Sequence, residues 1–145
     1  MIEHVNRDEI IALRHAVLRP GLPVETVHYP EDESPEIFHL ADRDADGSII
    51  SCVSFFRDDR DGRPAWRFRG MATVPERRSA GVGGRLLEAA VVEVARRGGE
   101  LVWCNGRVTA AAFYQRHGFV VDGDEFALPP TYLPHYVFVR ALISA

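Results

Sequence analysis

Apolar residues recur three and four positions apart in two stretches of this chain and run almost unbroken in a third. Ile10, Leu13 and Val17 share one helical face within residues 6–18, and Asn6 with Glu9 supplies the polar pair of a capping box, so a first helix is predicted there. Leu87, Ala90, Val91 and Val94 fall at i, i+3, i+4 and i+7. They predict a helix from about Gly83 through Arg96 and Arg97, closed by a basic last turn and Gly98. A shorter helix is predicted over Val108–His117, stopping at Gly118. Between the two long helical patterns lie three strand-like runs, Glu36–Asp42, Ser48–Arg57 and Ala65–Val74, separated by Asp46-Gly47 and Asp61-Gly62, which are strong hairpin signals. Ile49, Ile50, Cys52, Val53, Phe55 and Phe56 leave the middle run little polar alternation, which implies that both faces of its sheet are covered. Leu101–Cys104, Phe119–Val121 and His135–Leu142 complete the strands. The expected order is β-α-βββ-α-β-α-ββ: an α/β (α+β) fold in one domain over residues 1–145. Its sheet is mixed and mainly antiparallel, has about six to seven strands and is flanked by helices.

Arg19–Pro35 breaks the pattern. It is rich in Pro, Glu and Asp and reads as a loop with one short helical turn, a place where binding function often resides. Glu25, Glu31, Asp32, Glu33 and Glu36 concentrate acid between Val24 and Glu36, as solvated charge or as a lure for a cationic acceptor.

Composition narrows the classes. At 145 residues, 46% hydrophobic and 26% charged, the chain can bury one core without staples. The opening MIEHVNRDEI carries charge where a signal peptide needs an apolar run, and no segment could span a bilayer, so a cytoplasmic, non-membrane protein is expected. Cys52 and Cys104 sit in apolar strands without metal-type spacing; they read as core thiols, and no metal site is expected. A net charge of −4 argues against nucleic acid as a partner. All 17 basic residues are arginine, which excludes a catalytic lysine and favours guanidinium recognition of anions.

Gly81, Gly83 and Gly84 cluster where a loop feeds the second long helix. The first N–H groups of a helix have no intrahelical partner and lie at the positive end of its dipole, so the amides from Ser79 to Gly84 can converge on a phosphate. Arg77, Arg78 and Arg85 add charge nearby. On spacing alone, a plain glycine-rich turn is an equal reading. Two standard phosphate motifs fail: the Walker pattern needs GK[ST], and the dinucleotide fingerprint needs a third glycine and a parallel unit.

Arg78-Ser-Ala-Gly-Val-Gly83, preceded by Met71-Ala-Thr-Val-Pro-Glu76, resembles the R-x-x-G-x-G acetyl-CoA signature of the GNAT acyltransferases. Ala112-Phe-Tyr-Gln-Arg-His-Gly-Phe119 resembles their second motif. The likeness covers residues 66–142 well and the first sixty in outline. It implies a splayed, V-shaped cofactor cleft between the strands ending near Val74 and beginning near Leu101. It places the pyrophosphate of acetyl-CoA on Arg78, Ser79, Ala80, Gly81, Val82, Gly83 and Gly84, and the pantetheine arm along Met71, Ala72 and Thr73. Ser79 stands where the family often has glycine. An asparagine common in the family corresponds here to Arg107, with Asn105 two residues away, and both are expected near the cofactor.

The implied reaction moves an acetyl group to a primary amine by direct attack. The amine must lose a proton, and the departing thiolate gains from receiving one. By resemblance Tyr114 is the general acid, and a backbone N–H of Met71–Thr73 could steady the oxyanion. The family's glutamate base does not carry over, because its position is Val102. His135, His39, Glu36, Asp32 and ordered water remain as bases, with His135 slightly favoured beneath an expected roof at Glu125–Pro134. The acceptor, a small-molecule or peptide amine, is not legible. A homodimer is compatible with the resemblance. The alternatives are a non-catalytic CoA-binding sensor and a phosphate-binding domain unrelated to CoA.

Overall fold

The computed structural model describes residues 1–142. Three strands form the expected meander: β2 (Ile37–Arg43), β3 (Ile49–Arg57) and β4 (Ala65–Thr73), preceded by a three-residue β1 (Ile2–His4). Its hairpin turns need left-handed backbone, which Gly47 (φ 88°), Asp61 (φ 52°) and Gly62 (φ 74°) provide. The later strands are β5 (Leu101–Arg107), β6 (Val120–Val121), β7 (Phe126–Leu128) and β8 (Leu133–Ala141). They join one eight-stranded sheet in the order β1-β2-β3-β4-β5-β8-β6, with β7 also paired to β8. Every pairing is antiparallel except β4 with β5.

Helices cover both faces, as the apolar run of β3 demands. On one face lies α2 (Val82–Arg96), whose Leu86, Leu87, Ala90, Val91 and Val94 bury against Phe38, Leu40, Val53, Phe55, Trp66 and Phe68. The short α3 (Ala111–Arg116) joins this layer through Tyr114, while Phe119, just past its end, fills the space between. On the other face α1 (Arg7–Leu18) sets Ile10, with Leu13 and Val17, against Ala41, Cys52 and Ala72. The start of α1 is held by the Glu9 carboxylate, which accepts from the Asn6 backbone N–H at 2.8 Å.

Beneath α1 runs a buried charge network. Arg14 is fully buried and donates to both oxygens of Asp32 (2.8 and 3.0 Å), to the Val27 carbonyl (2.9 Å) and to Ser54 Oγ (2.6 Å). With Arg14 donating to the Ser54 oxygen, the serine hydroxyl is free to donate to His39 Nδ1, 2.6 Å away.

Strand β4 carries an irregularity at Gly70. Cys52 pairs with Ala72 but Ser54 with Arg69, so β4 holds one residue more than β3 at this point. Gly70 takes φ 67°, and a Cβ there would meet Arg14 Nε at 2.8 Å. Glycine is required twice over, by the backbone and by the guanidinium above it.

The sequence reading differs from the structure in four places, the first being the Arg19–Pro35 loop, which holds two 3-10 turns, Val24–Val27 and Pro30–Glu33, where one was expected. Strand β5 runs to Arg107 rather than stopping at Cys104, because β8 pairs with it residue by residue from Leu101 to Arg107. The expected roof loop contains β7. The expected helix over Val108–His117 begins as a single 3-10 turn, Val108–Ala110, before α3.

Candidate active site

Parallel pairing of β4 with β5 covers three positions, Ala65–Arg67 against Leu101–Trp103, and then stops. Beyond them β4 still pairs with β3 and β5 with β8, so the two strands part while each stays anchored on its far side. The gap is the V expected between these two strands; it opens toward Thr73 and Arg107 and is closed at the Ala65 and Leu101 end. From Phe68 onward the β4 edge that faces the gap has no strand beside it among the described residues.

The mouth of the V is a groove of about 710 Å³, lined among others by Met71, Ala72, Thr73, Arg78, Ser79 and the Gly81–Gly84 turn. Helix α2 starts here uncapped by any side chain, and its first intrahelical bond is Arg85 N–H to the Gly81 carbonyl at 3.0 Å. The amides of Gly81, Val82, Gly83 and Gly84 therefore have no partner within the helix. Ser79 (φ 69°) and Gly81 (φ 79°) are both left-handed, the geometry in which successive amides make an anion-binding concavity. A cradle of this kind fits a diphosphate.

The three glycines differ in their reasons. Gly81 would meet only Arg85 Nη1, at an ordinary 3.9 Å, and needs its φ, Gly83 leaves room for Thr73 Oγ1, and Gly84 admits the His117 ring, whose Nε2 would lie 2.8 Å from a Cβ. So one of the three serves the packing of α2 on α3 rather than close approach of a ligand. His117 is held in turn by Glu88 (2.8 Å), which also binds Arg140 at 2.9 Å. Of the arginines expected here, Arg77 pairs with Asp44 and Arg85 lies 3.7 Å from Asp42, whereas Arg78 has no salt bridge among the described residues. Arg116, not anticipated from the sequence, also lines the groove.

Deeper in the V is a second cavity of about 260 Å³. Tyr114 reaches it from the α3 face. Burial, and then the neighbouring Cys104 thiol, push its phenol well above the usual value near 10, so it holds its proton at any neutral pH. Its ring lies against Phe138 (4.6 Å between centroids) and over Gly106, where a Cβ would fall 2.5 Å from Tyr114 Cε2. Gly106 is thus part of the site, and a glycine inside a strand was the available signal for it. Cys104 is buried with its thiol pushed far up, and Cys52 is pushed up to about 12; both are inert core groups.

The opposite wall belongs to the α1 face. His135 is buried there, opposite Arg107 in the β5–β8 register. Its Nδ1 donates to the Leu133 carbonyl at 2.7 Å, which leaves Nε2 as the free ring nitrogen. Asn105 and Arg107 line this cavity too, and Arg107 borders the outer groove as well. Sequence reasoning missed Arg19, Tyr29, Arg67 and Arg69, all of which line the wall. The signal was W-R-F-R in β4, which places two charges on a sheet face that a helix must cover.

The other expected bases are elsewhere. Asp32 is locked to Arg14: burial alone would raise its carboxyl, but the hydrogen bonds and charge of Arg14 hold it below the ordinary range. His39 opens into a separate recess, and burial pushes its ring down, keeping it neutral. Glu36 is an exposed residue 3.8 Å from Arg57. The acidic loop divides: Glu31 binds Arg69 (2.6 Å) and Asp32 binds Arg14, so both are committed within the fold, whereas Glu25, Glu33 and Glu36 are exposed to solvent, Glu33 lying 3.2 Å from Arg7.

The acetyltransferase (GNAT) domain family matches residues 34–121. A Bacillus subtilis protein described as the uncharacterized N-acetyltransferase YitI is 31% identical over 131 residues, covering 88% of this chain and 87% of its own length. A UPF0039 protein of Mycobacterium tuberculosis is 30% identical over 116 residues, covering 77% of this chain and 71% of its own. Among solved structures, an aminoglycoside 6'-N-acetyltransferase complexed with coenzyme A superposes with a TM-score of 0.77 at 16% identity, covering 100% of this chain and 98% of that one. A chain of the NatC complex bound to Gag peptide and CoA gives 0.79 at 17%, covering 99% and 98%.

Proposed function

Because the chain belongs to the GNAT N-acetyltransferase family, we propose that it transfers an acetyl group from acetyl-CoA to a primary amine, with Tyr114 as general acid and His135 as the group that takes the amine's proton. One observation carries the reading: β4 and β5 part after Arg67 and Trp103, and the resulting gap has an amide cradle at its mouth and a neutral, buried phenol within. Acetyl-CoA would supply the activated acyl group.

The amides of Gly81–Gly84, with Ser79, Ala80 and Arg78, would hold the diphosphate. The unpaired β4 edge at Met71, Ala72 and Thr73 would take the pantetheine arm as an added strand, which explains why this edge is left open. Asn105 and Arg107 would lie beside the acyl end. Tyr114 keeps its proton through neutral pH and can donate it to a thiolate leaving on the α3 side. His135, with Nδ1 committed to the Leu133 carbonyl, presents an acceptor nitrogen on the α1 side. The acid and the base thus approach from opposite faces of the sheet, which suits direct attack in one ternary complex. We take residues 1–145 as a single acyltransferase domain that works on small-molecule or peptide amines inside the cell.

Thiol release from acetyl-CoA against a panel of amines tests this. Turnover with at least one amine is expected, with kcat reduced about 100-fold or more in Tyr114→Phe. Tight CoA binding without turnover of any amine would leave a CoA-binding module instead. Failure to bind CoA would remove the assignment altogether.

A further inference from the structure

The charged groups lining the inner cavity are all cations. Arg19, Arg67, Arg69 and Arg107 border it, and among the described residues no carboxylate does. Two of the four are answered from behind: Arg69 by Glu31 at 2.6 Å, and Arg67 by Asp58 at 3.4 Å with Glu31 at 3.8 Å. Arg19 and Arg107 are not. Both donate to the same atom, the Leu18 carbonyl oxygen at the end of α1, Arg19 through Nη1 at 2.9 Å and Arg107 through Nη2 at 3.1 Å. Neither forms a salt bridge with any described residue, and Arg19 Nε is buried without a partner.

A helix C-terminus favours one nearby cation, but two guanidiniums brought to one carbonyl oxygen repel each other in a partly buried site. Burial lowers the Arg19 pKa, Tyr29 works against that, and the charges of Arg107 and Arg69 lower it further, so the three cations sense one another. A guanidinium keeps its charge regardless. What the arrangement lacks is an anion, and no part of the described chain provides one.

We propose that the acceptor is a small amine that also carries a compact anionic group, a carboxylate or a phosphate, held by Arg19 together with Arg107 on the α1 side of the cleft while the amine points toward the gap between β4 and β5. The inference rests on the transferase reading above and adds the substrate class to it. About 260 Å³ lies just below the usual range for drug-sized ligands, which suits an acceptor of amino-acid size. A polyamine would meet four arginines.

The test is a matched panel assayed by thiol release from acetyl-CoA: free α-, β- and γ-amino acids, their carboxamides, aminoalkyl phosphates and polyamines. The expected result is kcat/KM about 10–100-fold higher for an amino acid than for its carboxamide, the size of one charge-assisted hydrogen bond. Arg19→Gln should erase that preference by lowering the acids alone, and Arg19→Lys should restore part of it. A higher rate with aminoalkyl phosphates than with amino acids would identify phosphate as the anion. Equal rates for acids and amides, or a preference for polyamines, would overturn the proposal. CoA binding by each variant, measured separately, reports that the fold is intact. If no amine on the panel is acetylated, the transferase reading fails, and calorimetry of the same acids and amides against the CoA-saturated protein still decides the present point. Acid binding that Arg19→Gln abolishes supports it; equal or absent binding of acid and amide overturns it.

Discussion

Arg14 and Arg19 stand five residues apart at the end of one helix and have opposite fates. Arg14 is fully buried, paired through two hydrogen bonds with Asp32, and its terminal nitrogens are further taken up by a carbonyl and a hydroxyl. Arg19 is half-buried, bonded to one carbonyl that it shares with another arginine, and faces a cavity. The first arrangement has its charge answered within the chain, with only Nε left without a partner, and reads as architecture. The second is unfinished: a half-buried cation with no counter-ion among the described residues, set where an anionic ligand could answer it. The difference shows that arginine count alone says little; what matters is which guanidinium nitrogens remain unspoken for.

Breaking the finished site should produce the largest effect. Arg14→Ala strands the Asp32 carboxylate in a buried position, and a loss of about 3–5 kcal/mol in urea unfolding is expected. Arg14→Met combined with Asp32→Leu should recover most of it, because an apolar pair of similar volume replaces two buried charges. Gly70→Ala comes next. It sets a methyl group 2.8 Å from Arg14 Nε at a left-handed φ, and a loss of about 1–3 kcal/mol is expected, read as a lower midpoint with an unchanged slope.

Acid sensitivity sharpens the same contrast. Asp32 has a folded pKa below its unfolded one, so its contribution to stability is complete above about pH 4 and is lost as pH falls through the depressed value. Urea midpoints measured from pH 6 down to pH 2 should show this acid limb in the wild type, and a shallower one in the Arg14→Met, Asp32→Leu chain. The smallest effect on stability belongs to the unfinished site. Arg19→Gln relieves repulsion with Arg107 and gives up one hydrogen bond, so the expected change stays within about 0.5 kcal/mol, while acetyl transfer carries the consequence.

Much of this architecture was legible in the residues themselves. The helical faces of α1 and α2 and the two Asx-Gly turns of the meander are local signals, and the structure repeats them within a residue or two. Strand β7 was not legible. Three residues make no period, and Phe126–Leu128 owes its conformation to β8 alone. The continuation of β5 through Asn105, Gly106 and Arg107 was hidden for a related reason, since two polar residues and a glycine lack strand character until β8 is laid beside them. At the site, the Gly81–Gly84 turn and Tyr114 could be singled out because they belong to contiguous motifs. The arginine wall could not. Its members come from the end of α1, from β4 and from the end of β5, and only the folded sheet brings them to one cavity.

The extra residue at Gly70 has a bearing on how the protein could change over time. Arg67, Arg69 and Gly70 all look toward α1, after which Ala72 keeps that side and Met71 and Thr73 turn to the other. The strand therefore reverses its alternation in mid-course, giving guanidiniums to one side and the groove-lining Met71 and Thr73 to its opposite. A deletion of one residue here would remove the bulge and let Val53 face Met71 in regular register, with Ala72 still under α1 and Thr73 still on the groove side. The surplus position is thus a place where the strand can lose a residue without trading sides downstream; what would disappear is the run of two consecutive positions, Arg69 and Gly70, that face α1.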